Sequence, residues 1–181
     1  MASIRCEIDH QSGIPLGGIG TGTIEIRPDG HFHEGQIFNR GPWAKESGEA
    51  GSAEGPTPGP GTLLFFLRCQ RAGGSPQVRR LGRRSDQHDL YHLPWLRSVS
   101  AIEFEGRYPV ARLRYVDPSL PLSLGACMFS PFVAHQAQHS ATPGFYSSFE
   151  LANRSEDHLE LSLLAVLENG TSRSPSTRPS S

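Results

Sequence analysis

The sequence predicts an all-β fold, an antiparallel β-sandwich whose C-terminal edge is left open. Three observations predict it. Apolar and polar residues alternate in several short runs, as in Ile102 and Phe104 against Glu103 and Glu105, which is the period of a half-buried strand. Twenty glycines and 15 prolines in 181 residues punctuate the chain at short intervals, so turns recur every few residues. No capped amphipathic segment is long enough for a bundle helix. With 36% hydrophobic residues, one domain is expected, burying roughly 70% of the surface of its extended chain.

Residues 1–12 read as a leader to a domain spanning 13–170. They hold one arginine and no apolar core, so they are not a secretory signal. From Gly13 to Trp43 the chain combines a glycine-dense loop with a hairpin. Gly17, Gly18, Gly20 and Gly22 leave the backbone free to approach another surface closely. Ile24 and Ile26 then share one face with Glu25 and Arg27 on the other, Pro28-Asp29-Gly30 forms a tight turn, and Phe32 to Phe38 returns. The glycines do not make a dinucleotide fingerprint. They are spaced by two, Thr23 and Glu25 stand where a third fingerprint glycine would fall, and a strand period follows where a helix is needed.

Lys45 to Gly61 has no large apolar residue and reads as a surface loop. Thr62 to Cys69 is a continuous apolar run of strand length, hence a buried strand. Arg71 to Asp86 holds five arginines without interleaved aromatics, which favours a solvated turn and edge strand over a nucleic-acid surface. Ile102 to Glu105 and Arg112 to Tyr115 alternate on either side of Glu105-Gly106-Arg107, which gives a second hairpin with its turn there. Leu120–Phe129, Phe145–Leu151 and Leu159–Leu167 supply three more strands. In the last, Leu159, Leu161 and Leu163 face one way. Residues 171–181 lack apolar residues beyond proline and read as a disordered tail. The last strand therefore leads out of the domain, and its free edge is a liability.

A formal charge of −1 and a pI near 6.7 supply no global field for nucleic acid, anionic lipid or acidic substrate. The longest apolar runs, Leu63–Leu67 and Leu163–Leu167, are far too short for a membrane span. Cys6, Cys69 and Cys127 are odd in number and scattered, as expected of reduced thiols in the cytoplasm.

The titratable residues nominate no reaction centre. Cleaving a glycosidic bond with two carboxylates requires a close pair, and Glu25, Glu103, Glu105, Glu156, Asp157 and Glu160 fall at outward-facing or turn positions. Glu34, between Phe32 and Ile37, is the acid taken as closest to a functional segment. The pairs His31-x-His33, His88-x3-His92 and His135-x3-His139 lack a further ligand to complete a tetrahedral set. No metal and no cofactor are expected, and no G-x-S-x-G elbow occurs.

Two blocks of residues carry a resemblance. Gly13-Ile14-Pro15-Leu16-Gly17-Gly18-Ile19-Gly20-Thr21-Gly22, followed by Ile37-Phe38-Asn39, is similar to the opening of the non-lysosomal glucosylceramidase, or bile-acid β-glucosidase, family, glycoside hydrolase family 116. Asp117-Pro118-Ser119-Leu120-Pro121, then Phe129-Ser130-Pro131-Phe132 and Ser140-Ala141-Thr142-Pro143, resembles that family's later D-P-x-x-P, F-S-P-F and S-x-x-P series in the same order. The resemblance implies an N-terminal β-sandwich that supports an (α/α)6 barrel, where the catalytic carboxylates reside. It carries no catalytic residue onto this chain. It implies a β-glucoside or glucosylceramide-like substrate and nominates Gly17, Gly18, Gly20, Glu34, Phe38, Asn39, Arg40 and Trp43 as lining the substrate or the interface with the barrel. The alternatives are a free-standing sugar-binding module presenting Trp43, Trp95 or Tyr91 as stacking platforms, and an inactive truncated gene product.

Overall fold

A computed structural model describes residues 4–5, 13–36, 63–83 and 96–167, with only the backbone of 4–5 and 34–36. The surface loop at Lys45–Gly61, the tail, both tryptophans, Tyr91, the His88 and His92 pair, and Phe38, Asn39, Arg40 and Trp43 lie outside the described residues. The strands are β1 (Ile4–Arg5), β2 (Ile14–Leu16), β3 (Thr23–Ile26), β4 (Phe32–Gln36), β5 (Leu63–Arg71), β6 (Gln77–Arg80), β7 (Arg97–Ser98), β8 (Ala101–Arg107), β9 (Val110–Val116), β10 (Leu122–Phe129), β11 (Tyr146–Asn153) and β12 (Leu159–Leu167). One helical turn, α1 (Ala137–Ser140), interrupts them. The all-β expectation holds.

The strands form three sheets, ordered β1-β8-β9-β10-β11, β12-β5-β6-β7 and β2-β3-β4. Every pairing is antiparallel except β6 with β7, which run parallel. Alternation explains the layers. Ile102 and Phe104 of β8, Leu113 and Tyr115 of β9, and Leu124, Ala126 and Met128 of β10 are buried, while the alternate residues are less buried and face outward. Phe65, Leu67 and Cys69 of β5 belong to the same core, and Phe65 meets Phe149 of β11 edge to face with ring centroids 4.9 Å apart. Fully burying a side chain such as Leu67 or Ile102 contributes about 1.5–3 kcal/mol.

The first hairpin forms as expected. Gly30 N donates to Arg27 O at 2.9 Å, Arg27 N donates to His31 O at 3.1 Å, and Gly30 takes the positive φ of 78° that its place after a type I turn requires. Phe32, just past this turn, stacks obliquely toward Phe65 and Phe145, tying the small sheet to the larger ones.

Several expectations are corrected. Glu105-Gly106-Arg107 does not turn: all three residues pair within the β8–β9 ladder, and the reversal falls two residues later at Tyr108-Pro109. The Arg71–Asp86 stretch does include a strand, but β6 has neighbours on both sides, and Arg79 and Arg80 are buried. Arg79 reaches Asp117 at 2.7 Å and Ser119 Oγ at 2.7 Å. Asp117 in turn accepts from Ser119 N and Oγ, so the aspartate of the D-P-x-x-P block forms a largely enclosed ion pair with Arg79 at a surface turn. His135 and His139 do not share a helix, since His135 has a φ of 63° and lies before α1 begins.

β12 departs from the sandwich pattern in another way. Its pairing partners on β5 point inward and are buried: Cys69 opposite Leu161 and Leu67 opposite Leu163. Leu161 and Leu163 point the same way yet are 38% and 41% exposed. Among the described residues the facing sheet ends at β11, which lies over β5, so β12 projects one described strand beyond it.

Candidate functional site

The glycine loop between β2 and β3 is fixed from below by the segment that follows β10. Ser130, buried just past β10, accepts from Gly17 N on its Oγ at 2.7 Å and donates its own N–H to Pro109 O at 3.2 Å. Ile19 N donates to Ser140 O at 2.9 Å. Ser140 is also buried, and its hydroxyl donates to Val133 O and accepts from Val133 N, closing the loop that carries α1. Two buried hydroxyls thus satisfy backbone groups that a loop would otherwise leave unpaired.

Glycine is required where the two segments touch. A Cβ on Gly18 would stand 2.4 Å from Thr142 O, a backbone atom that cannot yield cheaply. Gly17 has a φ of 127° and its Cβ would meet Gly22 O at 2.3 Å. Gly20 differs, for it occupies positive φ in open space at the loop's tip. Thr21 folds the tip back by donating its N–H and Oγ to Gly18 O.

Exposed apolar side chains ring this clamp. Ile19 on the loop is 56% exposed, and Phe132 and Val133 lie on the segment beneath it. Tyr108 packs edge-on against Phe132 at 5.7 Å, and Phe129 stacks on Tyr146 at 5.3 Å. This end of the molecule is an apolar surface on a backbone held by hydrogen bonds, a combination that marks interaction sites.

The polar groups nearby serve the fold. Glu25 is buried, where the alternation had placed it outward; it takes Arg27 on both oxygens at 3.2 Å and accepts from Gly13 N. Burial raises its pKa, but the hydrogen bonds from Arg27 and Gly13 outweigh that and hold the carboxyl below its ordinary value. Asp29, also buried, accepts from His31 N and from His33 Nε2 at 2.8 Å. Burial raises this carboxyl too, and His33 and His31 bring it below the ordinary carboxylate range. His31 donates through Nε2 to Arg83 O at 2.7 Å, and burial lowers its pKa despite the attraction of Asp29. Among the described residues no three His, Cys, Asp or Glu side chains are grouped to hold a metal ion.

Of the residues nominated from sequence, Gly17, Gly18 and Gly20 meet in the clamped loop. Glu34 lies on β4, one residue beyond the Glu25–His33 pair, with its side chain outside the described residues. Ser130 and Ser140 were missed as partners of the loop. Their signal was present: they are the serines of the F-S-P-F and S-x-x-P blocks, and the two blocks of the resemblance prove to be the two halves of one contact.

No curated protein matches the chain. Residues 13–180 match the N-terminal domain of glycosyl-hydrolase family 116, described by β-glucosidase 2. The match begins at Gly13, where the glycine block begins, and covers nearly the whole length, so the chain belongs to glycosyl-hydrolase family 116 as its N-terminal domain.

Proposed function

We propose that this domain docks its glycine-loop end on the catalytic helical barrel of a family 116 β-glucosidase and shapes the sugar site from outside the reacting centre. The clamp carries this reading. A loop fixed by Ser130 and Ser140, bearing exposed Ile19 beside Phe132 and Val133, offers a preformed apolar surface with little ordering left to complete. On this reading the carboxylates that cleave the bond belong to the barrel, which is supported by Glu25, Asp29 and Asp117 each being engaged by an arginine or histidine and by a backbone amide. The substrate is a β-glucoside or a glucosylceramide-like lipid. The setting is the cytoplasm, which fits Cys69 as a buried thiol whose pKa burial raises. Among the described residues no helix is long and apolar enough to cross a membrane.

The test expresses a family 116 barrel without its own N-terminal domain and assays an aryl β-glucoside with and without this chain. Activity should rise only on addition of the chain, and the Ile19→Asp, Phe132→Asp double variant, still folded by circular dichroism, should lose the effect. Hydrolysis by the chain alone that is abolished by replacing one of its own Glu or Asp residues would overturn the proposal, as would a barrel indifferent to it.

A further inference from the structure

The five-stranded sheet carries a groove on its outer face. Ladder register sets its residues side by side: the outward side chains of β8, β9, β10 and β11 fall into one row of Glu103, Arg114, Gly125 and Glu150 and a next row of Glu105, Arg112, Cys127 and Ser148. The glutamates and arginines stand around a floor of the small residues Gly125, Cys127 and Ser148. They enclose a groove of about 830 Å³, lined by residues of β8 to β11 and by Arg154, a volume in the range of small-molecule sites. Beyond Cys127 and Ser148 the following row is Phe129 stacked on Tyr146, both exposed. At the other end Arg154 donates from Nε to Ser123 Oγ at 3.1 Å.

We propose that this groove binds a neutral oligosaccharide. Chemistry selects the class. The carboxylates of Glu103, Glu105 and Glu150 are matched by the guanidiniums of Arg112, Arg114 and Arg154, so neither an anion nor a cation is favoured. β9 and β10 are paired on both sides, which leaves no backbone edge for a peptide strand to join. The floor of Gly125, Cys127 and Ser148 holds no pocket for the apolar anchors of a peptide helix. What converges there is a set of donors and acceptors. Glu103 engages Arg114 at 3.3 Å, whereas the side chains of Glu105, Arg112, Ser148 and Glu150 have no hydrogen-bond or ion-pair partner among the described residues. Planar carboxylates and guanidiniums can each take two adjacent hydroxyls at once. Gly125 lets a sugar ring approach the sheet, and Tyr146 offers an electron-rich face to the C–H side of such a ring. At about 3.4 Å per residue the strand from Ser123 to Phe129 spans about 20 Å, longer than one sugar. The clamp uses none of the groove's charged groups, so this site stands or falls independently of the docking described above.

Calorimetric titration of the full chain with cellotetraose, mannotetraose and xylotetraose should detect a single site for at least one of them, and tetragalacturonate should not bind. Gly125→Val should abolish the binding with an unchanged circular dichroism spectrum. A Cβ at Gly125 meets only Leu113 O at 3.6 Å, an ordinary contact, so valine suits the strand while its methyl groups fill the floor. Tyr146→Ala should weaken binding about tenfold. If the valine variant does not fold, the parent chain decides: the saccharide should shield Cys127 from iodoacetamide, followed by peptide mass. Failure of all three neutral tetrasaccharides to bind, equal binding of tetragalacturonate, full affinity in Gly125→Val, or alkylation of Cys127 at an unchanged rate in saturating saccharide would each overturn the proposal.

Discussion

The clamped loop end and the β12 side both present apolar residues to solvent, but for opposite reasons. At the loop end the residues beneath the surface are complete. Ser130 and Ser140 satisfy the backbone and Gly18 lies in close contact with Thr142, so Ile19 and Phe132 project from a finished structure. At β12 Leu161 and Leu163 point toward the interior, and among the described residues the facing sheet stops one strand short of them. Exposure alone therefore does not distinguish a presented surface from an uncovered core; direction relative to the sheet does.

The largest effect that can break this contrast comes from a cross-strand pair. Leu67 and Leu163 lie opposite each other and face the same way, one 1% and the other 41% exposed. Leu67→Ala should cost about 2–5 kcal/mol in urea unfolding. Leu163→Ala should cost under about 1 kcal/mol. Equal losses would mean that β12 is covered after all. Next comes Gly18→Ala, which forces a Cβ against Thr142 O and should cost about 1–3 kcal/mol. Gly20→Ala has open space and only its positive φ to strain, so it should cost about 1 kcal/mol. Ser130→Ala leaves the Gly17 amide without its acceptor and should lose about 1–2 kcal/mol in the same assay.

The smallest effect is on pH. Burial depresses the His31 imidazole below its ordinary 6.5, with Asp29 attracting the proton and Arg80 and His33 opposing it. The unfolded chain binds a proton that the folded chain resists, so stability should fall as pH drops below that value. Asp29, Glu25 and Asp117 act in the same direction at lower pH, because their depressed carboxyls contribute stability above their unfolded values that is lost on acidification. Thermal melts of the parent chain should decline between neutral pH and about pH 5, and His31→Gln should flatten that decline. An unchanged slope in the variant would place the proton elsewhere.

Much of this was legible in the sequence where physics acts locally. A continuous apolar run placed β5, alternation placed β8, β9 and β12, and Pro28-Asp29-Gly30 placed the first turn, because each signal needs only neighbouring residues. The misreadings came from distant partners. Arg79 counted as solvated because its anion, Asp117, lies 38 residues away, and Glu25 counted as outward because Gly13 meets it only in the folded sheet. Of the candidate site, the glycines were legible as a contact loop, whereas the serines beneath it needed coordinates. The direction of the β12 leucines followed from their spacing, but how far the opposite sheet extends is not written in β12.

The hydrogen bond from Gly17 to Ser130 joins residues 113 apart in the chain. On a ribosome the first hairpin emerges long before either serine, so the loop tip has nothing to rest on until residues 130–142 have been synthesised. Ordering of the N-terminal segment thus follows translation of most of the domain, and a slow, non-local final step is expected when the chain matures.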